Sequence, residues 1–122
     1  SDWSSDVCSS DLLSIMALVV LFGTTVYADL PLSKYPEFKK LPQFNEYIAG
    51  VGHGVFWANI MMQTQNVPPL FCMPGKLAPD DGLIYSLLDQ EIRSPATGIR
   101  YKPDTPIELI LVRSFVARFP CK

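Results

Sequence analysis

Residues 42–64 read Pro42-Gln43-Phe44-Asn45-Glu46-Tyr47-Ile48-Ala49-Gly50-Val51-Gly52-His53-Gly54-Val55-Phe56-Trp57-Ala58-Asn59-Ile60-Met61-Met62-Gln63-Thr64. Phe44, Ile48, Val51, Val55, Ala58 and Met62 recur at steps of 4, 3, 4, 3 and 4, the spacing of one apolar helix face. A first helical turn tolerates Pro42, and Pro68-Pro69 stops the pattern, so the spacing predicts a helix of about 24 residues and about 36 Å. A second stripe, Tyr47, Gly50, Gly54, Trp57 and Met61, widens the apolar surface and predicts a helix central to the domain. Gly50, Gly52 and Gly54 each cost a helix up to about 1 kcal/mol relative to Ala, so close approach by a neighbouring backbone is expected there. Gly50 and Gly54 share a face with Tyr47, which makes these three the candidate helix-packing residues. A phosphate-binding glycine loop would need a preceding strand and a different spacing.

Pro68 to Lys76 reads as a rigid turn segment, and a second helix follows it. Pro79 opens that helix, Asp80 and Asp81 suit the positive end of its dipole, and Ile84, Leu87, Leu88 and Ile92 form its buried stripe. Asp89 and Glu91 are expected on its solvated face. Ser94 to Pro103, with Pro95 and Gly98, is a loop whose Arg100, Tyr101 and Lys102 are exposed candidates for contact with a partner. Thr105-Pro106-Ile107-Glu108 then carries a start signal: Thr as N-cap, Pro at the first position, and Glu at the third as a capping box. Ile107, Ile110, Leu111, Ser114 and Phe115 continue as one face, and Phe119-Pro120-Cys121 ends the helix. No stretch alternates with strand period, so the expected architecture is all-α: three main helices with short extra turns.

Upstream, the chain changes character. Residues 13–28 form an uncharged apolar stretch ending in Val26-Tyr27-Ala28, the small-residue pattern of an export signal with its cleavage site. Its strongly apolar part, Leu12 to Phe22, is about 11 residues, short for a membrane span. The run Asp6-Val7-Cys8-Ser9-Ser10-Asp11-Leu12 reads as a translated sequencing-adapter oligonucleotide, so residues 1–12 are expected to be foreign to the protein. The expected folded domain is therefore 29–122, with Asp29 to Leu41 as an exposed lead-in holding at most one turn.

The whole chain has 122 residues and a net charge of −2. Residues 29–122 keep all 10 bases and lose Asp2, Asp6 and Asp11 from the 12 acids, which leaves a net charge of +1. Neither value is the basic footprint of a nucleic-acid binder. No nucleophile, paired-carboxylate or cofactor motif accompanies His53, the single imidazole, so no catalytic residue and no cofactor is expected.

Cys72 and Cys121 remain in the expected domain, and two cysteines in an exported chain suggest a disulfide. Closing that loop stabilises a small domain by roughly 4 kcal/mol in the chain-entropy view. A free pair and a three-ligand metal site with His53 are the alternatives, although the latter lacks zinc-site spacing.

Tyr47-x-x-Gly50 with Gly54, then Phe71-Cys72-x-Pro74, a helix, and a closing Phe119-Pro120-Cys121 resemble the Tai/Rap family of type VI secretion immunity proteins. The resemblance runs from about residue 41 to residue 121. It implies a disulfide-bonded helical periplasmic protein, often a homodimer, that binds and blocks a peptidoglycan amidase delivered by neighbouring bacteria. Cys72 and Cys121 carry over as the bridge, and Gly50 and Gly54 as packing positions. Ser94, Arg100, Tyr101 and Lys102 correspond by position to the variable inhibitory loop. The chain departs from the family pattern at Ala78, where a Thr or Ser cap often stands, and in its longer Pro-rich connections. The expected function is thus occlusion of an amidase in the periplasm, with no membrane anchor after signal cleavage. The alternative is a periplasmic stress chaperone or general binding protein.

Overall fold

A computed structural model describes residues 29–75 and 78–122; the adapter-like run and the export segment lie outside the described residues. A 3₁₀ turn, Leu32–Lys34, leads into α1 (Tyr35–Phe38), α2 (Pro42–Thr64), α3 (Asp81–Arg93) and α4 (Ile107–Arg118). The all-α architecture holds, with α2, α3 and α4 as its three long helices around one core.

The core line of α2 is Phe44, Ile48, Ala49, Gly52, Phe56 and Asn59, which rotates away from the expected stripe after Ile48. Val51 and Val55 are half-buried and Ala58 is exposed. The reason is tertiary: Ile84 packs directly on Gly52, which turns the side of α2 carrying Gly52, Phe56 and Asn59 toward the core. The helix also ends before the two prolines. Asn66 takes a left-handed conformation (φ 58°), and the Asn66 and Val67 amides bond back to the Gln63 and Met62 carbonyls, closing the C-terminus.

The second stripe of α2 corrects the expectation of a helix buried on most sides. Tyr47, Trp57 and Met61 are 39%, 59% and 55% exposed. A β-carbon added at Gly50 or Gly54 would meet nothing within 4 Å, so neither glycine is a packing contact within the described chain. The close approach is at Gly52 instead, where an added carbon would sit 2.6–2.8 Å from three atoms of fully buried Ile84. Gly52→Ala is expected to destabilise by about 1–3 kcal/mol through overpacking. Gly50→Ala and Gly54→Ala should each stabilise by up to about 1 kcal/mol through helix propensity. Urea unfolding of the three variants checks the contrast.

The next helix opens later than expected: Pro79 stays outside, and Asp80 caps α3, its carboxylate accepting from the Leu83 amide at 2.7 Å. Ile84, Leu87 and Leu88 face the core as expected, but the fourth buried position is Glu91 and not Ile92. α4 packs against α3 through Ile107, Ile110, Leu111, Ser114 and Phe115, and the Ser114 hydroxyl donates to the Leu87 carbonyl at 2.9 Å. Phe71 stacks on Phe115 with ring centres 4.8 Å apart. Buried Asn59 holds that segment from the other side: its amide donates to the Phe71 carbonyl (2.8 Å), and its oxygen accepts from the Leu70 and Phe71 amides.

Cys72 and Cys121 are bonded to each other, joining the segment before α3 to the end of α4. The Cys72 amide also donates to the Phe119 carbonyl at 2.7 Å. With both sulfurs in the bridge, the three-ligand metal alternative falls; His53 Nε2 lies 2.9 Å from Asp81 Oδ1 instead.

The lead-in is structural as well. Backbone bonds tie Leu32 to Thr105, Ser33 to Pro103 and Ile107 to Leu30. Thr105 does not cap α4: its carbonyl is engaged by Leu32, and extended Pro106 takes the cap position without a side-chain bond. Glu108, freed from a capping box, accepts from the Leu30 amide at 3.1 and 3.3 Å and from the Tyr47 hydroxyl. Burial, and then the Glu108 carboxylate, pushes the Tyr47 phenol up to about 12.

Tyr35 is buried edge-on against Phe44 and donates to Asp89 Oδ1 at 3.1 Å. Lys39 reaches the same oxygen at 3.0 Å, and Arg93 holds the other. Asp89 is therefore half-buried and triply engaged, and not part of a free solvated face. The Lys39 ammonium, with the Tyr35 hydroxyl, holds its carboxyl below the ordinary value against the opposing effect of burial. That stabilisation is complete above about pH 4, where the unfolded carboxyl is ionised, and is lost as pH falls through the lower folded-state value. Asp89→Asn should accordingly unfold at a lower temperature than the parent at neutral pH, with the gap closing in acid. A gap that stays constant with pH would assign the loss to packing.

Candidate partner-binding site

The connection from α3 to α4 is built on one buried carboxylate. Glu91 lies on the helical register of Ile84, Leu87 and Leu88 and is 1% exposed. Its Oε1 accepts from the Tyr101 hydroxyl at 2.8 Å and its Oε2 from the Ala96 amide at 3.2 Å. Arg118 Nη2, on α4, lies 3.6 Å from the same Oε2. One side chain of α3 thereby grips both arms of the loop and the end of α4, correcting the expectation that Glu91 is solvated.

Between those grips the chain turns at Pro95-Ala96-Thr97-Gly98, closed by the Gly98 amide on the Pro95 carbonyl at 3.0 Å. Gly98 has φ +70°, a conformation that side chains with a β-carbon rarely adopt. The far end is tied by the Thr105 amide to the Lys102 carbonyl and by the Ser33 amide to the Pro103 carbonyl. These bonds hold a loop of about ten residues in a fixed shape, which lowers the ordering cost of docking.

The expected partner residues separate into two groups. Arg100 and Lys102 are exposed, as expected. Tyr101 is half-buried and braces the loop, its phenol pushed up by burial and by Glu91, with the Arg113 guanidinium 5.8 Å from its ring centre. Ser94 is exposed at the C-terminal end of α3, its amide bonded to the Gln90 carbonyl, and stands apart from the groove that the other three line.

That groove, of about 390 Å³, runs between residues 99–105 and the outer face of α4. Ile99 and Leu109 expose apolar surface in it, and Arg113 closes its far wall. Ile99 lies within the loop expected from the sequence, whereas Leu109 and Arg113 are not legible as site residues, because their relation to Arg100 exists only once α4 folds back beside the loop. Glu91 carried a signal: it falls three residues after Leu88 and seven after Ile84, on the core side of α3.

What the fold and this region define is a small, disulfide-clamped helical domain displaying a braced basic loop. Comparison with protein-family models, curated proteins and solved structures gives no match for this chain.

Proposed function

We propose that this chain is a periplasmic immunity protein that binds a peptidoglycan amidase delivered by type VI secretion and occludes its cleft. The observation that carries the reading is the loop held rigid by Glu91, since an inhibitor acting by insertion gains affinity from a surface ordered before contact. The motif resemblance, and the pairing of Cys72 with Cys121 where that resemblance expects it, support it. Arg100 and Lys102 contact the enzyme, Tyr101 positions them, and no group of the inhibitor takes part in chemistry. A homodimer over the exposed Tyr47, Trp57 and Met61 face belongs to the same reading; sedimentation at rising concentration tests it.

The exported chain is expressed in susceptible cells with a periplasm-targeted amidase encoded beside it. The expected result is survival that depends on this chain, together with a co-purifying stoichiometric complex. Lysis despite good periplasmic expression rejects that amidase as the target. The exposed Trp57 and Met61 favour a second reading, a periplasmic stress chaperone that covers unfolded clients with this face. Suppression of aggregation of unrelated proteins, lost in a Trp57→Ser, Met61→Ser variant, would support it.

A further inference from the structure

We infer that the groove between residues 99–105 and α4 is the receptor for an acidic segment of the partner that carries an apolar anchor. This inference rests on the reading that the loop binds a partner and specifies the chemistry that partner presents.

Three cations, Arg100, Lys102 and Arg113, line the groove against one carboxylate, Asp104. None of the three has a carboxylate within ion-pair distance among the described residues, whereas Lys34, Lys39, Arg93 and Arg118 each have one. Among the described residues Lys40 and Lys122 also stand outside any ion pair but do not line the groove, so Arg100, Lys102 and Arg113 are the unpaired cations gathered on one surface. Their positions are also held. Arg100 and Lys102 flank Tyr101, which Glu91 anchors, and Arg113 rests over the Tyr101 ring. Such a set recognises carboxylates, and the braced backbone lowers the ordering cost of the loop on docking.

The floor selects between kinds of anion. Ile99 and Leu109 are 47% and 42% exposed between the cations, so the occupant brings an apolar side chain as well as negative charge. A polyphosphate backbone offers no such group and would leave Ile99 and Leu109 uncovered. A peptide with Asp or Glu on both sides of a Leu, Met or Phe satisfies the rim and the floor together.

The test pans a random peptide display library against the full chain with its disulfide intact, and then measures binding of the synthesised winners by fluorescence anisotropy. Acidic peptides with one central apolar residue are expected to be enriched. Reversing the rim with Arg100→Glu and Lys102→Glu should weaken them at least about tenfold, while Lys40→Glu, remote from the groove, leaves them unchanged. Raised salt should weaken binding in the parent. Ile99→Ser should weaken it without altering the salt dependence. Neutral or basic winners, no enrichment, or acidic winners that bind the reversed variant equally well would each overturn the inference. Competition by an oligodeoxynucleotide as strong as by the peptide would overturn it too, reducing the groove to a polyanion surface.

The cell-survival experiment separates this inference from the immunity reading. Selective acidic-peptide binding without protection keeps the groove and removes the amidase. Protection undiminished by Arg100→Glu and Lys102→Glu keeps immunity and removes the groove.

Discussion

Glu91→Ala is expected to lower the unfolding free energy by about 3–5 kcal/mol, the range seen when one partner of a buried ion pair is removed. The change strands three groups at once. Arg118 loses its carboxylate while its Nε is already buried without a partner, and the Tyr101 hydroxyl and Ala96 amide lose their acceptors. A polar group left without its partner costs roughly 1–3 kcal/mol when buried and less for part-buried groups such as the Ala96 amide and Tyr101 hydroxyl, and the loss is concentrated in the loop and the end of α4. Glu91→Gln keeps an acceptor for the phenol and should cost less. Urea unfolding gives the size of the effect, and hydrogen exchange at the Ala96 and Gly98 amides gives its location. A cost below about 1 kcal/mol would show that the loop holds its shape without Glu91, and would remove the basis for its preorganisation. If the loop docks an amidase, Glu91→Ala should also reduce protection in cells while Arg100 and Lys102 are still present.

Cys72→Ser should cost about 2–5 kcal/mol, mostly by releasing the unfolded chain from a closed loop of 49 residues. The rest of the junction survives the change. Asn59 still clamps residues 70–71, Phe71 still stacks on Phe115, and the Cys72 amide position can still reach the Phe119 carbonyl. The variant is therefore expected to fold and to melt earlier, with the same helix content. Reductant should lower the melting temperature of the parent and leave that of Cys72→Ser unmoved. Intact-mass analysis of unreduced protein offers an independent check, because a chain that accepts two alkylating groups at Cys72 and Cys121 lacks the bridge.

These two effects sit on different sides of what the chain reveals before it folds. The bridge is legible because residues 29–122 hold two cysteines, and two thiols allow one pairing. The three long helices were legible because their apolar residues recur at helical spacing, and the start of α3 because Asp80 and Asp81 are local signals. Local patterns and the folded chain part company where contacts made across the fold compete with them. Thr105-Pro106-Ile107-Glu108 satisfies every local rule for a capping box. The folded chain brings Leu30 and Tyr47 to Glu108, and those partners win. The lead-in looked like linker because Pro31, Pro36 and three lysines dominate its composition, yet Tyr35 alone finds a core position between α2 and α3.

The candidate site divides in the same way. Arg100, Tyr101 and Lys102 stood out by composition, but their roles diverge: two face solvent, and one faces Glu91. The glycines of α2 stand out by their helix cost, and their spacing points to Gly50 and Gly54 as the packing positions. Only the position of Ile84 shows that Gly52 is the one without room for a methyl group.

By itself the sequence determined the helical class, the approximate element boundaries and the cysteine pair, because these depend on propensity, periodicity and a small number of thiols. Tertiary structure alone decided which α2 face is buried, that Glu91 braces the loop, and that Arg113 and Leu109 join Arg100 and Lys102 in one groove. Those relations are distances between residues far apart in the chain, and they come into being only when α3 and α4 pack and exclude water from the carboxylate between them.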